Sequence, residues 1–246
     1  MSTTSGHPPT AAIFGAGPGL GVAAARFFGR RGHRVALVAR NAGRLDTFVQ
    51  QLGDEGVTAS AHVGDIGDPA VFDQVAAAVV ADLGRIDVAV YQTAVAHSTV
   101  ASALELTAEN ERPHLEQALL APIQAAHTLL TPMIERGAGA ALFTLGASAR
   151  GPIPQLAQGG VALAGLRHHL FGLADAARAH GVRVGMLTIG GLILGSDLHH
   201  EMLPDAGPDF PGALDPDELA AHLGDLLTGD DHPERLAGPY VRQPAL

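Results

Sequence analysis

The chain contains no cysteine and no lysine; all fifteen of its basic residues are arginine. Without thiols there can be no disulfide and no thiolate chemistry, and an intracellular, cytoplasmic setting is expected. Without lysine no side-chain amine is available as a base, as a Schiff-base former or as an ammonium that binds a hydroxyl. Basic residues are also outnumbered, with 25 acidic side chains and a net charge of −10, which argues against nucleic acid as a partner because phosphate neutralisation needs a basic surface. No apolar run approaches the roughly 18 to 20 residues of a membrane span, so no membrane partner is expected. The first residues lack the basic start and apolar stretch of a secretory signal, and residues 1–9 are expected to form a flexible tail.

What remains is a chain of 246 residues, 47% hydrophobic and 16% charged, the profile of one globular domain with a sizeable core. Its centre of organisation is Phe14-Gly15-Ala16-Gly17-Pro18-Gly19-Leu20-Gly21. An apolar run, Thr10 to Phe14, enters this turn and an alanine-rich amphipathic run leaves it. A strand that turns sharply into a helix leaves unpaired N–H groups at the helix start, and with the helix dipole these make an anion site that glycines let a phosphate approach. A second apolar run, residues 35–39, ends in Arg40, where dinucleotide-binding folds place the residue that reads the ribose.

Further along, the pattern alternates. Helices are expected over 20–31, 42–52, 69–83, 112–136 (interrupted by a kink at Pro122), 159–180 and 215–227, and strands over 34–39, 57–63, 87–91, 139–145 and 182–189. Strand signal after Glu234 is thin. With right-handed crossovers this is an α/β protein, a single-domain Rossmann-like doubly wound parallel sheet with helices on both faces, spanning 10–246. Ligands in such sheets bind beyond the carboxyl ends of the strands, and the Pro- and Gly-rich stretch 192–212 is the expected substrate lid.

The spacing Gly15-x-x-x-Gly19-x-Gly21, with Leu20 between the last two, resembles the cofactor turn of the short-chain dehydrogenase/reductase superfamily. The resemblance covers roughly residues 10–240 and implies an NADP(H)-binding oxidoreductase. Ala39-Arg40-Asn41 resembles the NADP-preferring end of the second strand, since an arginine can pair with a 2′-phosphate and the Asp or Glu expected for NAD is missing. Asp65-Ile66 matches the adenine-contacting pair, and Gly190-Gly191-Leu192-Ile193 the segment that flanks the nicotinamide. Thr93 follows the fourth strand, in the stretch where the superfamily carries Asn-Asn-Ala-Gly and this chain has Tyr91-Gln92-Thr93-Ala94. The Tyr-x-x-x-Lys pair falls on Gly159 and Leu163, the serine near Ala147 and Ser148, and the helix asparagine near Ala118. No shift of register restores the pair, because the only tyrosines are Tyr91 and Tyr240.

In the usual mechanism a tyrosine of lowered pKa protonates the carbonyl oxygen beside a lysine cation. Candidates for that work here are Ser148, which can hydrogen-bond a substrate oxygen, His97, a general acid near neutral pH, and Gln158, which can orient a substrate. Thirteen histidines do not form a metal set: His168-His169 and His199-His200 are adjacent pairs without carboxylate-bracketed spacing. The expected function is reduction of a small carbonyl, enone or imine by a non-standard proton source. A non-redox isomerase, lyase or cyclase on the same scaffold, or a catalytically silent NADP(H)-binding protein, are the alternatives. The apolar positions of the helix over 159–180 are core or subunit interface, and the resemblance to a superfamily whose corresponding helices pair implies a homodimer or homotetramer.

Overall fold

The computed structural model describes residues 8–92, 101–229 and 232–242. Nine strands occur there: β1 (Thr10–Phe14), β2 (Arg34–Ala39), β3 (Ala59–Val63), β4 (Val88–Gln92), β5 (Gly139–Gly146), β6 (Val182–Ile189), β7 (Leu192–Ile193), β8 (Ala213–Leu214) and β9 (Glu234–Ala237). Seven of them form one parallel sheet in the order β3-β2-β1-β4-β5-β6-β9, while β7 and β8 pair with each other. The helices are α1 (Leu20–Gly29), α2 (Ala42–Asp54), α3 (Pro69–Leu83), α4 (Ala108–Leu115), α5 (Ala121–Glu135), α6 (Ala157–Arg178), α7 (Asp197–Met202) and α8 (Pro216–Thr228). Among the described residues no helix is long and apolar enough to cross a membrane.

Alternation of side chains across each strand divides the core into two layers. Along β1, Ala12 and Phe14 face a cluster with Phe72 of α3, Leu129 of α5 and Leu166 of α6. Ala11 and Ile13 face the other, with Ala24 of α1, Leu45 of α2 and Leu223 of α8. All five residues of β1 are fully buried, which is why a central strand reads as an unbroken apolar run.

Three expectations shift. The single long helix over 112–136 begins at Ala108, capped by the side chain of Thr107, and its irregularity lies ahead of Pro122 rather than at it. Residues Glu116–Leu120 form a π turn in which the N–H of Ala121 donates to the Glu116 carbonyl five residues back. The widened turn accommodates Pro122, which has no N–H to give and a ring that crowds the preceding turn. The third strand starts at Ala59, two residues late. Finally, the stretch after Glu234 is a true edge strand, with Met186 opposite Glu234; the thin signal arose because Glu234 is buried through ion pairing instead of apolarity.

The 192–212 stretch is a built substructure. The β7–β8 ladder ties its ends through Leu192 opposite Ala213 and Ile193 opposite Leu214. Inside it, the His199 ring accepts from the Gly195 N–H at 2.9 Å and reaches the Ala206 carbonyl at 2.8 Å, and Ser196 caps α7.

Candidate functional site

The chain leaves β1 toward β2 and β3, then returns to β4 on the other side of β1. That reversal opens a crevice at the carboxyl ends of β1 and β4. The crevice is lined by Gly15, Ala16 and Gly17, by Ala39, Arg40, Asn41 and Arg44, by Gly64 to Gly67, and by Tyr91, Gln92, Gln117 and Asp197. A second concavity, lined by Arg178, Gly181 and Pro233 among others, sits at the amino end of β6, the wrong end for a ligand of such a sheet.

The glycines divide the labour. Gly15 has φ +85°, and a Cβ there would stand 2.9 Å from the Gln92 carbonyl oxygen, so only glycine makes this turn. The N–H groups of Gly15 and Ala16 both donate to the Val38 carbonyl at 2.9 Å, locking the turn onto β2. At Gly21 a Cβ would meet the Ala16 Cα at 2.9 Å, so this glycine serves the packing of α1 against the turn. Around Gly17, by contrast, a Cβ would find nothing within 4 Å, because this position faces the open crevice. Helix α1 starts with no side-chain cap at Gly19 and no acidic residue in its first turn, leaving its dipole and orphan N–H groups for an anion.

Of the residues singled out by sequence, Gly15, Arg40, Asn41, Asp65 and Ile66 come together in this crevice. Arg40 is exposed at its mouth, with no ion-pair partner among the described residues. The Asn41 side-chain oxygen is spent on capping α2, accepting from the Arg44 N–H at 3.0 Å. One Asp65 oxygen accepts from the Gly67 N–H at 2.9 Å. Gly19, Leu20, Gly21, Gly191 and Ile193 do not line the crevice. Leu20 is core at 4% exposure. A Cβ on Gly19 would touch Ile193 and Ser196, and Gly191 is closed in by the Gly212 carbonyl and Leu214. Thr93 and His97 lie outside the described residues.

The expected catalytic side is corrected more strongly. Gln158 is 2% exposed, its oxygen accepts from the Ala101 N–H at 2.8 Å and its amide donates to the Asn110 carbonyl. It stitches α4 and the chain before it to α6, and both ends of the amide are used, so it does not face a substrate. Ser148 lies in a 3-10 turn after β5, and a Cβ built on Gly160 would sit 3.7 Å from the Ser148 Cβ. Gly159 is buried and Leu163 is core. The tyrosines do not fill the gap. Tyr91 is 2% exposed, its hydroxyl donates to the Ile66 carbonyl at 2.8 Å, and burial drives its pKa far up. Tyr240 is half exposed and lies over Gly212, at the end of the 192–212 stretch.

Two crevice residues escaped the sequence reading. The Gln92 amide nitrogen is buried without a hydrogen-bond partner among the described residues, an orphan donor 3.5 Å from the Cβ position of Gly21. Arg44 stands in the first turn of α2, which the Asn41 side chain caps, and its side chain lines the crevice beside Asp197. An uncapped helix start, an orphan amide donor and two guanidinium groups make a site for an extended polyanion.

A parallel doubly wound sheet with a glycine turn at its switch point has the architecture of the α/β class whose members bind nucleotides there. Within that class, residues 9–204 match the family model described as short chain dehydrogenase, and the chain belongs to that family. It is 32% identical over 130 residues to the D-threitol dehydrogenase of Mycolicibacterium smegmatis, covering 53% of this chain and 49% of that one. It is 27% identical over 183 residues to an uncharacterized oxidoreductase of Mycobacterium tuberculosis, covering 73% and 63%. Including a third relative from Bacillus subtilis, the chain spans 37% to 63% of the lengths of these curated relatives. Its fold is similar to that of a metagenomic short-chain oxidoreductase in complex with NADP, with TM-score 0.76, 24% identity and coverage of 94% and 98%. It is similar also to an actinorhodin polyketide ketoreductase with NADPH, with TM-score 0.80, 20% identity and coverage of 96% and 98%.

Proposed function

We propose that the chain is an NADP(H)-binding oxidoreductase that reduces a small carbonyl, enone or imine without the tyrosine–lysine pair. The observation that carries the cofactor reading is the combination of Arg40 and Arg44 at the crevice mouth with no acidic residue ending β2. The Gly15–Gly17 cradle, the uncapped start of α1 and the orphan Gln92 amide fit the phosphates and ribose of such a cofactor. NADPH supplies a hydride when bound. This chain's own residues bind and orient: Arg40 and Arg44 hold the 2′-phosphate, and Asp65 and Ile66 the adenine end.

With glycine at the tyrosine position and no lysine in the sequence, the proton must come from another group. Ser148 is the described candidate to hold a substrate oxygen, with His97 or water as the acid. Holding the hydride donor against its acceptor supplies much of the rate by proximity alone. The buried Gly159 and Leu163 favour a second reading, a non-redox isomerase, lyase or cyclase. The proposal extends to a cytoplasmic homodimer or homotetramer, for which exposed Leu120 and Val161, on the adjoining π turn and α6, offer apolar ground. Turnover of NADPH deuterated at the transferred position against a panel of carbonyls and imines tests the reaction. Deuterium in the product is expected; unlabelled product assigns the second reading.

A further inference from the structure

The lid presses on the crevice at two places, both where phosphate is expected. First, a Cβ built on Gly19, the residue before α1, would lie 3.1 Å from Ile193 and 3.2 Å from the Ser196 Cβ, so the lid rests directly on the start of α1. Second, the next lid residue, Asp197, projects its carboxylate to Arg44, whose Nη2 donates to both oxygens at 2.8 and 3.1 Å. Asp197 itself lines the crevice together with Arg40 and Arg44. The lid therefore brings its own anion to the guanidinium at the ribose end.

We propose that Asp197 is an internal competitor of the ribose 2′-phosphate. NADP(H) takes Arg44 from Asp197, whereas NAD(H), which has no 2′-phosphate, leaves this ion pair closed. The inference rests on the cofactor reading above and adds a specificity and gating role for Asp197.

The energetics suit an exchangeable latch. Both partners are half exposed, 45% for the Arg44 side chain and 55% for Asp197, so the pair is a weak surface ion pair. A phosphate monoester carries close to two negative charges at pH 7 and offers three acceptor oxygens, against one charge on the carboxylate. Exchange therefore favours the phosphate. The lid can move as a unit, because its internal staples, from the His199 ring to Gly195 and Ala206, stay within it. The β7–β8 ladder gives it a fixed base.

The test is Asp197→Asn in the full chain, with equilibrium titrations of NADPH, NADH, 2′,5′-ADP and 5′-AMP. NADPH and 2′,5′-ADP should bind about 2- to 5-fold more tightly to the variant, the range that loss of one weak ion pair supports. NADH and 5′-AMP should be unchanged. Equal gains for all four ligands, or no gain for the two phosphorylated ones, would overturn the latch. Hydrogen exchange at residues 196–203 separates this outcome from failure of the cofactor reading. Asp197→Asn should speed exchange there without any ligand, and in the wild-type protein NADPH but not NADH should do the same. If no nucleotide binds at all, the cofactor reading falls, and an unchanged exchange rate in the variant disposes of the latch independently.

Discussion

Arg167 of α6 grips Glu234 of β9 through two hydrogen bonds, Nε at 2.8 Å and Nη2 at 2.7 Å, and the carboxylate side chain is only 2% exposed. Thr188 of β6 donates to the same carboxylate at 2.7 Å, and Arg150 stands 3.8 Å away while donating to the Val241 carbonyl. In the fold these arginines fasten the edge strand and the C-terminal residues to the sheet.

Breaking this cluster from one side leaves a buried charge. Glu234→Gln or Arg167→Met is expected to cost about 3 to 5 kcal/mol, read as a lowered midpoint in urea, and the double replacement Arg167→Met with Glu234→Leu should recover much of the loss. Burial alone would raise the Glu234 carboxyl, but hydrogen bonds from Arg167 and Thr188 and the charges of Arg167 and Arg150 hold it below its usual 4.5. A depressed carboxylate contributes stability above the unfolded-state value and loses it as pH falls through the folded one. The difference between wild type and Glu234→Gln should thus be full at pH 6 and shrink below pH 4.5.

Glu111 of α4 predicts the opposite. It is 7% exposed, both its oxygens lack partners among the described residues, and burial pushes its carboxyl up. A raised acid is tolerated below its unfolded-state value and costs stability as pH rises through the folded one. Glu111→Leu should stabilise the fold by about 1 to 2 kcal/mol at pH 7.5, with the gain vanishing near pH 4. Thermal melts at the two pH values decide it.

The glycine turn gives a contrast between neighbours. Gly17→Ala should keep the wild-type melting temperature, because its methyl enters open space, yet weaken NADPH by filling the crevice. Gly21→Ala should unfold more easily even without ligand, since its methyl would strike the Ala16 backbone.

Arg40→Ala should weaken NADPH about tenfold or more and NADH little, the loss of one hydrogen bond to a charged group. An equal loss for both nucleotides in a fluorescence titration would mean that Arg40 does not read the 2′-phosphate.

Much of the fold was legible because its central strands are buried on both faces, so β1 and β2 read as apolar runs. The edge strand β9 was not, since two of its four residues, Glu234 and Arg235, are charged and Glu234 is buried by partners 46 and 67 positions away. The site divides in the same way. Gly15 and Arg40 stand out by their places at strand ends, Asp65 and Ile66 by the family resemblance, and the four meet in the crevice. Arg44 and Asp197, separated by 153 positions, meet only because α2 and the 192–212 stretch flank one crevice. Gln158 offered a polar group before a helix, and what made it structural was the carbonyl of Asn110, 48 residues earlier. The sequence by itself determined the alternation, the glycine turn and the absence of any lysine, because each is a property of consecutive residues or of composition. Which charges are bound to each other, which glycines face ligand and which face packing, and where the lid rests were decided by tertiary structure, because such contacts depend on distances that no local pattern encodes.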